Sequence, residues 1–108
     1  MNPRAERIGN SAHGPCLQGI RCSSCGVRSF PPAKWCRTCH SSSIEVIALA
    51  ATGRVEAVAA YEGVAFGEVR LADGLLVAGR LEPAGRVKVG SPVRFAPDND
   101  IVRFRIDD

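Results

Sequence analysis

The stretch from Arg21 to His40, RCSSCGVRSFPPAKWCRTCH, decides the reading of this 108-residue chain. It holds four of the five cysteines, spaced Cys22-x2-Cys25-x10-Cys36-x2-Cys39. Each C-x-x-C turn brings two sulfurs to one point. Two such turns face to face offer four thiolates in a tetrahedron, the geometry that zinc accepts without penalty. Gly26 supplies permissive backbone after the first pair. His40 stands at the corresponding place after the second, where its tolerance of positive φ suits a tight turn better than a ligand role. Cys22, Cys25, Cys36 and Cys39 fill the coordination set, so the expected Zn²⁺ is structural, with no position open to water or substrate. Its binding energy, on the order of 10 kcal/mol in small zinc modules, would then be folding energy.

Other uses of these thiols fit less well. An odd cysteine count and the lack of any apolar leader in MNPRAERIGNSAHG disfavour a disulfide scaffold and favour reduced thiols in the cytoplasm. A thioredoxin-like pair needs a βαβ context that the pattern lacks. Iron in a rubredoxin-like four-sulfur site is chemically possible, since the same tetrahedron accepts either metal. Cys16 lies outside the spacing and reads as a free thiol; His13 reads as a solvated tail residue.

Working outward from the cage, the charge is uneven. Residues 1–43 carry six basic groups against one acidic (net +5), and residues 44–108 carry eight against ten (net −2). Four thiolates with one divalent ion add a formal −2, so part of that basic excess balances the cage. Arg28, Lys34, Trp35 and Arg37 are the candidates for contact with a partner or with the phosphates of a ligand. Residues 1–15 read as a flexible or partner-binding segment, in which PRAERIG starts a helical pattern that Gly9, Gly14 and Pro15 interrupt. Residues 16–43 read as the zinc ribbon. From Ile44 to residue 108 the texture is β: IEVIAL, GRVEAVAAYE, VAFGEVRL, LLVAGRLE, RVKVGSPVRFA and IVRFRI. Asp73-Gly74 is a hairpin signal and PDND a turn. The expectation is a mainly β protein, a small rubredoxin-like zinc ribbon followed by a five-stranded OB-type antiparallel barrel. No apolar run approaches the length of a membrane span.

Catalytic signatures are missing. There is no GxSxG, P-loop or GxGxxG, and of the two histidines one lies in the tail and one beside the cage. Glu45, Glu56, Glu62, Glu68 and Glu82 mostly alternate with apolar residues, as solvent-face charges do. The expectation is a chain that is not an enzyme by itself. Single-stranded nucleic acid is the alternative ligand, because ribbons and OB barrels both bind it. Against it stand the acidic barrel and the expected core placement of Phe95 and Phe104; a tryptophan beside such a cage, here Trp35, more often covers it from water.

Taken together, RCSSCGVRSFPPAKWCRTCH, ATGRVEAV, DGLLVAGRLEP and VKVGSPVRF resemble the small zinc-ribbon/OB-fold proteins associated with acyl-CoA enzymes. The matching positions are Cys22, Cys25 and Gly26; Phe30, Pro31 and Pro32; Cys36 and Cys39; Gly53 and Val55; and Val89, Gly90, Pro92 and Val93. The resemblance implies an N-terminal helical stretch, a zinc ribbon and an OB barrel. It implies a non-catalytic accessory subunit that docks on a thiolase-like acyl-CoA enzyme in a hetero-oligomer and helps form its acyl-CoA site, with acyl-CoA as a shared ligand. His40 departs from the family's glycine, and YEGVAFGE is a shortened connection after the first barrel strand.

Overall fold

The structure is a computed structural model, and it describes residues 7–107. Nine strands and no helix occur among these residues. The chain divides between Leu49 and Ala50 into two compact units.

The first unit is a small sheet organised around one long strand. β1 (Ile8–Ser11) pairs antiparallel with the start of β2 (Gly14–Cys22), in register Ile8↔Leu17 to Ser11↔Gly14. The rest of β2 pairs with β3 (Arg28–Ser29) and β4 (Ile44–Ala48). Leu17, Ile20 and Leu49 are buried here together with Cys22 and Cys36. That is a thin core. Such a unit needs a further source of stability, as small domains generally do.

Two expectations are corrected in this unit. Residues 8–15, read as part of a tail, form β1, its turn and the start of β2. Gly14 takes φ 106 at the end of that turn, so the glycine taken for a breaker closes a hairpin. The Ser11 hydroxyl donates to the Gly14 carbonyl and accepts from the His13 N–H. The helical stretch implied by the resemblance is not found among the described residues; its first residues, 3–6, lie outside them. Ile44–Ala48, read as part of the barrel region beginning at Ile44, instead completes the first sheet against β2. Its alternation made it a strand, but alternation does not choose a partner.

The second unit is a closed barrel of five strands: β5 (Thr52–Tyr61), β6 (Val64–Leu71), β7 (Leu76–Glu82), β8 (Pro92–Phe95) and β9 (Arg103–Ile106). The order around the barrel is β5-β6-β7-β9-β8, closing through β5–β8, and only β7–β9 is parallel. This is the OB-type architecture read from the sequence. Val55, Val69, Leu71, Val77, Leu81, Val93 and Phe104 point inward and are almost fully buried. Phe95 packs edge-on against Phe104, ring centroids 5.7 Å apart. β5 carries a bulge between Val55 and Ala57, which bends it as it leaves the barrel. Opposite, Gly67 lies so close to the Ala57 carbonyl that a Cβ there would collide with backbone. Asp73 anchors the β6–β7 turn: one carboxylate oxygen accepts from the Ala50 N–H at 2.9 Å and the other from Leu75 N–H.

Candidate metal centre

The four cysteines sit on two loops with matching backbone. In the first, the Cys22 N–H donates to Val27 O (2.9 Å) and the Gly26 N–H to Cys22 O (2.8 Å). In the second, the Cys36 N–H donates to Ser41 O (2.8 Å) and the His40 N–H to Cys36 O (2.9 Å). Gly26 has φ 80 and His40 φ 64, so both loops turn through the left-handed region at the same place. In each loop the second cysteine's N–H points at the first cysteine's sulfur, Cys25 to Cys22 and Cys39 to Cys36, both at 3.5 Å. The loops are tied together by the Ser23 N–H on Ser43 O (2.8 Å) and by the Ser24 and Ser41 hydroxyls (3.0 Å).

This brings the four sulfurs within 4.8 Å of one another. Cys22 Sγ and Cys39 Sγ are 3.5 Å apart, and Cys25 Sγ and Cys36 Sγ 3.6 Å. Four sulfurs about 2.3 Å from a central zinc stand about 3.8 Å from each other. The donor set therefore fits a tetrahedral thiophilic ion. Cys22 and Cys36 form the buried floor and Cys25 and Cys39 the exposed rim. Among the described residues no histidine or carboxylate joins the cluster; His40 serves the turn.

The electrostatics point the same way. The Cys25 backbone N–H lowers the Cys22 thiol to about 6. The N–H groups of Cys39 and Thr38 lower Cys36. At Cys25 the Val27 N–H favours the thiolate, but desolvation and the sulfurs of Cys36, Cys22 and Cys39 outweigh it and push the thiol up to about 12. At Cys39 the Ser41 N–H is likewise outweighed, first by the Cys22 sulfur and then by desolvation, so that thiol is raised. In each loop the first cysteine is thus shifted toward the thiolate and the second away from it. Four thiolates this close require a compensating positive charge.

The candidates for partner or phosphate contact, Arg28, Lys34, Trp35 and Arg37, are all exposed on this unit. Trp35, beside the buried Cys36, is 57% exposed. Phe95 and Phe104 are in the barrel core, as read, whereas Tyr61 (79%) and Phe66 (57%) stand exposed on the β5–β6 hairpin. On β5 the bulge between Val55 and Ala57 shifts the alternation, so Tyr61 does not share the inward face of Val55, whereas Phe66 on β6 alternates regularly with the buried Ala65, Val69 and Leu71.

Comparison with known proteins fits this geometry. Residues 17–45 match the family described as ChsH2, rubredoxin-like zinc ribbon domain. No curated protein matches the chain. Among solved structures, a chain of the Ltp2-ChsH2(DUF35) aldolase is similar over 84% of this chain and 84% of its own, with a TM-score of 0.65 and 21% identity. That name corrects one expectation. The chain was read as no enzyme and as a non-catalytic subunit, yet the neighbour is named an aldolase, which places this architecture within a catalytic protein. Residues 17–45 thus match a rubredoxin-like zinc ribbon domain of the ChsH2 type, and in this chain they are followed by an OB-type barrel.

Proposed function

We propose that this chain is a subunit of an acyl-CoA-processing enzyme, assembled with a thiolase-like partner and contributing to the acyl-CoA site of the complex. One observation carries the reading: the ribbon and the barrel occur together, over most of both chains, in a protein whose name joins two components and an aldolase activity. The resemblance of Phe30, Pro31, Pro32 and the VKVGSPVRF stretch to acyl-CoA-associated proteins supports the same class. In this reading Cys22, Cys25, Cys36 and Cys39 hold a structural zinc ion, which supplies rigidity and charge compensation. The chain's own residues set the loops: the N–H groups of Cys25, Thr38 and Cys39 orient the sulfurs, and Gly26 and His40 make the two turns. Arg28, Lys34 and Arg37 offer positive charge for the phosphates of coenzyme A.

The test is capture of the tagged full chain from its own host, with the recovered proteins identified by mass spectrometry. A thiolase-like or other acyl-CoA enzyme in stoichiometric amount is the expected result. Recovery of nucleic acid alone, with binding that falls steeply as salt rises, would sink the proposal.

A further inference from the structure

The β5–β6 hairpin runs beyond the barrel wall. β5 pairs with β8 only through Thr52, Gly53 and Arg54, with Val55 adding two bonds, its N–H to Ser91 O and its carbonyl from Gly90 N–H. After the bulge, residues from Ala57 to Tyr61 pair with β6 alone. The hairpin closes at Glu62-Gly63, both at positive φ (51 and 79), a two-residue turn of the kind that closes on a hydrogen-bonded pair. Tyr61 and Val64 are that pair, so by alternation Ala59 and Ala57 also bond to β6. Val58 and Ala60 then turn their N–H and C=O groups to the other side. Among the described residues no hydrogen bond is made there.

Strand edges of this kind are usually blunted by charge, proline or a covering element. Residues 57–61, AVAAY, contain neither charge nor proline, and Ala57, Ala59, Ala60 and Tyr61 are exposed. A shallow hollow lies alongside, lined by Ala59, Ala60, Tyr61, Glu62, Val64 and Phe66. Acidic groups lie along the edge, Glu62 at its turn end and Glu68 across from Ala57, while Glu56 at the other end is paired with Arg70.

We infer that the Val58–Tyr61 edge of β5 accepts an added strand from a partner chain, an extended segment uncharged in its middle and basic at its ends. Backbone bonds to Val58 and Ala60 supply the pairing, Tyr61 and Phe66 the apolar contact, and the glutamates the choice of partner. That the segment belongs to the enzyme subunit rests on the function proposed above; the strand-addition site does not.

The test measures amide exchange on the full chain with two capped peptides of alternating Thr and Val, one ending in Lys at both termini and one in Glu. The Lys-ended peptide should slow the Val58 and Ala60 amides by about tenfold or more, and the Glu-ended one should not. Ala60→Pro, which removes an outward N–H, and Ala60→Lys, which charges the edge without touching the core, should abolish the protection at Val58 with melting unchanged. Unchanged exchange with both peptides, or protection that rises with protein concentration alone, overturns the inference. If the chain captures an acyl-CoA enzyme equally well with or without Ala60→Lys and shows no peptide protection, only this inference fails. Peptide protection without any captured acyl-CoA enzyme defeats only the function proposed above.

Discussion

At position 40 a histidine makes the turn that glycine makes at position 26, with φ 64 against 80 and the same bond back to the first cysteine of its loop. A side chain at positive φ carries a steric cost that glycine lacks. His40→Gly should therefore raise the stability of the metal-loaded chain by up to about 1 kcal/mol, and His40→Val should lower it, both read from denaturant melts. Cys36→Ser removes a sulfur from the buried floor of the cage. It should cut bound zinc, measured by elemental analysis, from one ion per chain to near none, with loss of the far-UV signal of the first sheet. A red, iron-loaded native protein would reassign the metal without changing the ligands. Glu56 is a separate matter. The Arg70 guanidinium, bonded through Nε at 2.7 Å and Nη2 at 3.2 Å, holds its carboxyl below the usual range. Its contribution is thus complete above the ordinary glutamate range and is lost as pH falls through the depressed folded value. Glu56→Gln should flatten the acid limb of the stability profile in that window by lowering the neutral plateau, with stability below the window unchanged, and the loss is small because the pair is exposed.

Among the elements, the cage and the barrel strands were legible in the sequence for different reasons. The cysteines announce themselves by spacing alone, since two short loops of that form have few other ways to arrange their sulfurs. The barrel strands show as alternation, which the inward side chains of β7, Val77 and Leu81, bear out. Alternation failed where partner choice or a turn decided the outcome. Val87 and Val89 alternate, yet they lie outside any strand: the Arg86 and Val87 N–H groups both turn back to Pro83 O, leaving Val87 buried and Val89 exposed. β1 has too few apolar residues to signal itself and exists because β2 is long enough to hold it. Backbone proximity leaves no sequence trace beyond the glycine itself. Gly67→Ala, pressed against the Ala57 carbonyl, should cost about 1–3 kcal/mol by overpacking, and Phe104→Ala about 3–5 kcal/mol by emptying the barrel centre. Thermal melts of both variants check these values, and a near-wild-type Gly67→Ala would show that β5 can move at its bulge.

For the molecule as a whole, the division between Leu49 and Ala50 separates two modes of stabilisation. The barrel has an apolar centre of its own, while the first sheet buries little besides Leu17, Ile20, Leu49 and two sulfurs. A strong chelator should therefore free the amides of residues 20–43 to exchange while those of Val69, Leu81 and Phe104 stay protected. A single cooperative loss of both sets would show instead that the units melt as one. Because an ion completing the cage must come from outside the chain, its supply would govern how much finished protein exists. Chains made during scarcity would carry a sound barrel behind a loose N-terminal arm open to proteolysis, so abundance would follow nutrition as closely as it follows synthesis.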